Sequence, residues 1–314
     1  MTYLVTGGTG SMGQRLVWHI LEKCDPQKVI VYSRDDHKQK DMERKFHDPR
    51  VRYIVGDVRN RDRVESAMQG VDYCIHTAAL KHVDKGEYNP DEYDDVNRGG
   101  SVVVRDACRA AGVNRAVLLS TDKAVEPVNL YGVTKAAAEK LWLGGCVYSP
   151  IYTVTRYGNV TGSAGSVIPY FAKIAREGGT LPVTSPNMTR FAMSFQQAID
   201  LVMYALQGSP QVVYVGKAKA YSMLALVNAL GCMDRWETVG ARPGEKYHET
   251  LVSQYESGRC YDMGDHYEIA PEVPWDDEYP FCGEKVPTYV DGEWWRYTSE
   301  TAERMSMDEL REGI

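Results

Sequence analysis

Along the first half of the chain, short runs of consecutive apolar residues alternate with longer segments whose apolar positions recur every three or four residues. The runs at 3–6, 29–32, 51–55, 73–76, 116–120 and 151–156 predict strands, and segments such as 12–22, 62–69, 101–111 and 134–144 predict helices. This rhythm is the pattern of βαβ units on a parallel sheet, and it predicts an α/β fold, a Rossmann-like doubly wound parallel sheet. Beyond about residue 158 the rhythm loosens, with a helix expected at 196–206, a strand at 212–215 and a last helical segment at 307–311. From residue 267 the chain is rich in Pro, Asp, Glu and Trp and reads as irregular. No internal repeat or low-complexity linker separates the halves. The expectation is a nucleotide-binding domain over 1–158 and a smaller, interleaved substrate-binding lobe with an irregular tail over 159–314, with a cleft between them.

Composition narrows the function classes. With 314 residues, 43% of them hydrophobic, the chain can bury a substantial core. A net charge of −7 without any Lys/Arg-rich run argues against nucleic acid as a partner. No apolar run reaches the roughly 18–20 residues of a membrane span, and the chain opens directly into a strand-like segment, so neither a membrane anchor nor a leader is expected and the location expected is cytoplasmic. Seven cysteines, Cys24, Cys74, Cys108, Cys146, Cys232, Cys260 and Cys282, are scattered without a CxxC pair. They suggest neither a disulfide framework nor a zinc site, and no metal is expected; most read as small buried hydrophobes.

The first strand runs into Thr6-Gly-Gly-Thr-Gly-Ser-Met-Gly13, with Gly7, Gly10 and Gly13 at the spacing of a dinucleotide turn. A Cβ at the first two glycines would obstruct the tight turn and the approach of backbone N–H groups to a pyrophosphate, and the third lets helix and strand pack. Thr9, Ser11 and Met12 complete the turn, and the helix that follows offers free N–H donors at its start. The second strand ends in Val31-Tyr-Ser-Arg34, a hydroxyl on Ser33 and a guanidinium on Arg34 where an NAD binder usually carries an acid. With Lys38 nearby, this suits the 2′-phosphate of NADP; the alternative, with Asp35 or Asp36 taking the ribose, is NAD. Further along the expected crevice, Asp57 before Val58 can accept from an adenine amino group, and Ala78 and Ala79, before Lys81, are small enough for backbone to press on a cofactor.

The segment from Leu118 to Lys135 carries Ser120, Thr121, Asp122, Lys123, Tyr131 and Lys135, all able to hold or move a proton. It begins as a strand of the same sheet and passes into a helix, so these groups emerge at the same edge. Tyr131 and Lys135 are four apart and share a helical face. An ammonium there is expected to lower the phenol from about 10 and let it act as a base, with Thr121 hydrogen bonding the same substrate oxygen.

The glycine turn together with Tyr131-x-x-x-Lys135 resembles the extended short-chain dehydrogenase/reductase superfamily. Longer matches are Ser120-Thr-Asp-Lys-Ala124, Asn129-Leu-Tyr-Gly-Val-Thr-Lys135, Arg156-Tyr-Gly-Asn-Val160, Gly165-Ser-Val-Ile-Pro169, Met188-Thr-Arg-Phe191 and Arg242-Pro-Gly-Glu-Lys246. They resemble the UDP-N-acetylglucosamine 4,6-dehydratase (configuration-inverting) family. Departures from its wording are Ala164, where an arginine is expected, and the segment Asp95-Val-Asn-Arg-Gly-Gly100.

The resemblance implies a UDP-sugar substrate, tightly bound NADP recycled within each turnover, and a homo-oligomer. It implies Lys123 as the base at C5 and Asp122 as the acid at O6. Lys81, Asn159, Ser166, Val167, Thr184, Arg190, Arg242 and Glu245 are then expected around the uracil, ribose and diphosphate. Two other readings remain open from the residues alone, a UDP-sugar 4-epimerase, which needs no acid and base at C5 and C6, and a non-catalytic NADP-sensing module.

Overall fold

The fold is that of a computed structural model which describes residues 1–144, 149–163, 166–273 and 282–313. Cys146 and Ala164, singled out above, lie outside the described residues. The six expected strands form as β1 (Thr2–Thr6), β2 (Lys28–Ser33), β3 (Val51–Val55), β4 (Tyr73–His76), β5 (Arg115–Leu119) and β6 (Ile151–Arg156). They pair in parallel in the order β3-β2-β1-β4-β5-β6. Every residue of β1 and four of the five in β5 are buried, because helices cover both faces of a parallel sheet. The chain winds outward from β1 through β2 to β3, then crosses back to β4 on the other side of β1. That reversal opens a crevice at the carboxyl edge, where doubly wound sheets bind their ligands.

The helix Ser11–Lys23 buries Gly13, Leu16, Val17, Ile20 and Leu21, the stripe its apolar spacing predicts. The helix Asp36–Phe46 has no such stripe. Nearly all of DHKQKDMERKF is polar, only Gln39 and Met42 are buried, and its start is fixed by Asp35, whose side chain accepts from the Lys38 N–H. The segment expected at 134–144 begins a turn earlier, at Leu130, because Asn129 caps it by accepting from the Gly132 N–H. Tyr131 therefore sits in the first turn of the helix that carries Lys135.

The second half returns to the same sheet. Val213–Gly216 pairs in parallel with β6, and His266–Ile269, Cys260–Asp262 and Glu284–Lys285 extend it antiparallel, while the helix Phe195–Gln207 packs against β5 and β6. What stands apart is a three-stranded sheet of Lys219–Ser222, Thr189–Met193 and Asn159–Val160, with a core of its own around Phe171, Leu181, Val183, Leu226 and Val227. The tail read as irregular supplies Tyr297–Thr298 as a partner for Thr250–Val252 and a last helix, Met307–Glu312, with a capping box between Ser306 and Glu309. No helix among the described residues is long and apolar enough to cross a membrane.

Candidate active site

A cleft of about 1320 Å³ runs along the carboxyl edge of the sheet from the glycine turn to the strands and loops of the second half. Gly7 adopts φ +63°, and a Cβ on it would lie 2.8 Å from the Cα of Ala78, so this turn presses directly on the end of β4. At Gly13 a Cβ would meet the Gly7 carbonyl oxygen at 2.5 Å, which is the close packing of helix on turn that the spacing predicts. A Cβ on Gly10 would touch only the Gly7 oxygen, at 3.2 Å, so the restriction there concerns what approaches from the cleft. The helix Ser11–Lys23 has neither a side-chain cap nor an acid in its first turn, which leaves its opening N–H groups for an anion.

Thr9, Ser11, Met12, Ser33, Arg34, Lys38, Val58, Ala78, Ala79 and Lys81 all line the cleft. Asp35 is committed as a helix cap and pairs with Lys38 at 3.3 Å. Asp57 departs from expectation. Its carboxylate is clasped by the Arg59 backbone N–H and guanidinium at 2.8 to 3.0 Å, which holds it below the usual carboxylate range, and it is not among the lining residues although Gly56 and Val58 are. Arg34 stands half exposed, 3.7 Å from the same carboxylate.

At the end of β5 the chain turns through Asp122–Ala124, with the Asp122 N–H donating to the Tyr157 carbonyl at 3.2 Å. Thr121 donates to Asp122 Oδ1 at 2.9 Å, and Lys123 Nζ lies 3.0 Å from that oxygen and 3.3 Å from Glu249 Oε1. Burial works against the Lys123 ammonium, but the two carboxylates outweigh it and hold its pKa well above the ordinary value. Lys123 is therefore a firmly protonated ammonium here, and to act as the expected base it must first pass on a proton. Asp122 is pushed up, chiefly by burial. Only 1% exposed, it meets the cleft through Thr121 and Lys123, the two lining residues that share its Oδ1.

Tyr131 lines the cleft together with Thr121. Burial pushes its phenol up to about 12, opposed first by the charge of Lys123 and then by the Thr121 hydroxyl. The expected partner, Lys135, instead donates to the Leu119 carbonyl at 2.6 Å, and burial brings it down to about 8. A buried ammonium needs an acceptor, and the strand end supplies it; the cation that favours phenolate in this structure is Lys123.

From the second half, Asn159, Ser166, Val167, Arg190, Arg242 and Glu245 line the cleft. Arg190 is only 7% exposed and is largely spent on protein partners, with Nη2 3.0 Å from Glu245 and Nη1 2.7 Å from the Thr189 carbonyl. Arg242 keeps its guanidinium at the exposed rim. Thr184 does not line the cleft; its hydroxyl donates to Glu245 Oε2 at 3.5 Å. The loop of Arg242 is docked on the start of the Tyr131 helix by Asn129, which donates to the Gly244 carbonyl at 2.8 Å.

Three contributors escaped the sequence reading. Lys246, which ends the Arg242-Pro-Gly-Glu-Lys246 stretch, and Glu249, three residues on, come in beside Lys123. Buried Asn97, inside the π-helical segment Asp94–Gly99, ties Leu80 to Thr134 through bonds of 2.8, 3.0 and 3.1 Å and so joins the β4 loop to the Tyr131 helix.

Comparison with known proteins agrees with this geometry. Residues 3–271 match the family described as "Polysaccharide biosynthesis protein". The chain is 41% identical, over 92% of its length and 90% of the relative's, to a UDP-N-acetylglucosamine 4,6-dehydratase (inverting) of Campylobacter jejuni subsp. jejuni serotype O:2. It is 38% identical, over 99% of its length and 94% of the relative's, to a UDP-glucose 4-epimerase of Rickettsia canadensis. Among solved structures, Pen from Bacillus thuringiensis superposes with a TM-score of 0.88 at 33% identity, covering 99% of this chain and 96% of that one. With motifs, sheet topology and cleft in agreement over almost its whole length, the chain belongs to the UDP-N-acetylglucosamine 4,6-dehydratase (inverting) family within the polysaccharide biosynthesis proteins.

Proposed function

We propose that the protein is a nucleotide-sugar dehydratase that converts UDP-N-acetylglucosamine to a UDP-4-keto-6-deoxy-N-acetylhexosamine with inversion at C5. The observation that carries this reading is the meeting of Thr121, Lys123 and Tyr131 at one cleft whose other end is the dinucleotide turn, with two buried carboxylates held against Lys123. The turn at Gly7, Gly10 and Gly13, the uncapped helix start and the cations of Arg34 and Lys38 fit NADP, and the commitment of Asp35 to capping argues against a ribose-binding acid and hence against NAD. When bound, NADP supplies a hydride acceptor and donor.

The chain's own groups then have distinct tasks. Tyr131 takes the proton of the 4-hydroxyl while Thr121 holds the oxygen. The resulting C4 carbonyl acidifies C5–H, which Lys123 removes, and a carboxyl beside Lys123 protonates the departing 6-hydroxyl. Arg242 and the N-terminus of the helix Val167–Arg176, whose first turn lines the cleft behind Ser166, suit the diphosphate.

The 4-epimerase reading draws support from the 38% relative. It gives no task to a buried lysine between two carboxylates. Incubation with UDP-N-acetylglucosamine in deuterated water separates the two. A dehydratase yields a product lighter by one water, with solvent deuterium at C5 and an L-arabino configuration. An epimerase keeps both the water and the C5 proton, and a D-xylo product would reject the inversion.

A further inference from the structure

His76 closes β4 and is wholly buried. Its Nδ1 lies 2.6 Å from Thr6 Oγ1 and its Nε2 3.1 Å from Ser101 Oγ, while the ring stacks on Trp142 at 5.6 Å. The neighbours decide where its hydrogen sits. Ser101 donates its one hydroxyl hydrogen to the Asn97 carbonyl at 2.5 Å, so its oxygen can only accept from the imidazole. Thr6 Oγ1 accepts from the Thr77 and Ala78 N–H groups at 3.2 and 3.3 Å, which leaves its own hydrogen for Nδ1. From both ends the ring is fixed with hydrogen on Nε2 and none on Nδ1. A second proton would face the Thr6 hydrogen, and burial together with the nearby charge of Lys135 brings the ring's pKa down to about 3.

These bonds act on the cofactor side of the cleft. Thr77, Ala78, Ala79 and Leu80 line it, and Gly7 of the dinucleotide turn presses on Ala78. The loop is held at its start by Thr6, whose carbonyl also accepts from the Thr77 hydroxyl at 2.7 Å. It is held again at Leu80, where the Asn97 side chain accepts from the N–H and donates to the carbonyl, and the same side chain donates to Thr134 on the Tyr131 helix. His76 is the link between the two holds, through Thr6 on one side and through Ser101 and the Asn97 carbonyl on the other.

We infer that His76 is a positioning residue for the dinucleotide, whose single tautomer joins the Thr6 hold to the Asn97 hold and keeps the 77–80 loop pressed on the glycine turn. The inference rests on the dinucleotide reading of the cleft and not on which sugar reaction follows. The other tautomer would set two hydrogens against each other at Thr6 and two lone pairs at Ser101. Turning the Thr6 hydroxyl to relieve that clash would withdraw the oxygen that orders the Thr77 and Ala78 N–H groups, and buried donors left without an acceptor are costly.

The test uses the full-length protein, titrated with NADP and, separately, with UDP. Thr6→Val keeps the shape of the side chain but removes both the hydrogen given to Nδ1 and the oxygen that holds Thr77 and Ala78. It is expected to weaken NADP about tenfold, while UDP, whose expected contacts lie in the second half, stays within about twofold of wild type. Thr6→Ser returns the hydroxyl and is expected to restore NADP to within about threefold. Equal weakening of both ligands, unchanged NADP affinity or a failed rescue overturns the inference. Should Thr6→Val not fold, His76→Phe keeps the stack on Trp142 and removes both bonds, and it is expected to show the same split between NADP and UDP. In protein labelled with nitrogen-15 at histidine, the His76 signals, recognised by their change in either variant, are expected to report hydrogen on Nε2 alone and to stay constant from roughly pH 5 to 8, where an ordinary histidine titrates. Hydrogen on Nδ1, or titration in that range, also overturns it. A wild type that binds neither NADP nor NAD rejects the dinucleotide reading itself, and the positioning role with it.

Discussion

Arg156 grips Glu139 with two prongs, Nη2 2.7 Å from Oε2 and Nε 3.0 Å from Oε1, in an ion pair that is almost wholly buried. Arg156 closes β6, and Glu139 stands one turn beyond Lys135 on the helix Leu130–Leu143. The same guanidinium lies 2.9 Å from Glu256 and 3.2 Å from the Leu251 carbonyl. One cation thus joins the sheet, the Tyr131 helix and the segment that carries Glu249.

Replacing Arg156 by Met would leave two buried carboxylates without their cation. The expected loss of stability is about 3 to 5 kcal/mol, the usual cost of removing one partner from a buried pair. Denaturant unfolding of the two proteins measures it, and a loss below about 1 kcal/mol would mean that solvent reaches Glu139 and Glu256 on little rearrangement.

The same cluster has a pH signature. Burial raises Glu256, but Arg156 outweighs it and holds the carboxyl at about 2, below its ordinary 4.5. A depressed folded-state pKa stabilises above the unfolded value, and the contribution is lost as pH falls through the folded one. The window is therefore from about pH 4.5 down to about 2, and the full term is on the order of 3 kcal/mol. The stability difference between wild type and Glu256→Gln should be constant above that window and shrink inside it. A difference that does not change across the window would show that Glu256 titrates normally.

Arg34→Glu tests the cofactor. It exchanges a cation suited to a 2′-phosphate for an anion, and a charge-assisted contact contributes roughly 1.5 to 3 kcal/mol, so the ratio of NADP to NAD affinity should fall at least about tenfold. Arg34 also approaches Asp57 at 3.7 Å, and the new carboxylate would repel it. Equal weakening of both cofactors, by fluorescence titration, would assign Arg34 to that contact alone.

Features set by neighbours in sequence were legible before the fold was known. The glycine turn, the strand rhythm through β6 and the Tyr131 to Lys135 spacing are of this kind, since each depends on residues within a turn or two. Features set by distant partners were not. Glu249 is an ordinary acid in a polar stretch until the fold brings it 3.3 Å from Lys123. Asp57 is an exception to that division, because its partner Arg59 is only two residues on, but a guanidinium folding back over a carboxylate leaves no mark in the hydrophobic pattern. Lys135 was paired with the phenol by helical spacing, which says nothing of the Leu119 carbonyl waiting across the strand end. The helix Asp36–Phe46 lacks the apolar stripe that announces a helix, because it packs on the sheet through Gln39 and Met42 alone.

Because Lys123 and not Lys135 is the cation that favours the phenolate, the two lysines should separate by experiment. Burial is the largest influence on Tyr131 and raises its pKa; among its neighbours Lys123 and Thr121 lower it, and Asp122 and Tyr93 raise it. Lys123→Gln removes the cation and leaves Asp122 unbalanced, and both changes raise the phenol from its already elevated position near 12. Proton removal from the 4-hydroxyl needs the phenolate, so the half-maximal pH for cofactor reduction in a single turnover should move upward by about one unit or more. Water loss should fall with it, since the same variant lacks the base at C5. Lys135→Gln should leave that midpoint nearly in place, its chief effect being the lost hydrogen bond to Leu119 and hence a less firmly seated helix. A midpoint that shifts with Lys135 and not with Lys123 would restore the pairing that helical spacing alone predicts, and would remove Lys123 from the oxidation step while leaving its part in elimination to be judged by C5 exchange.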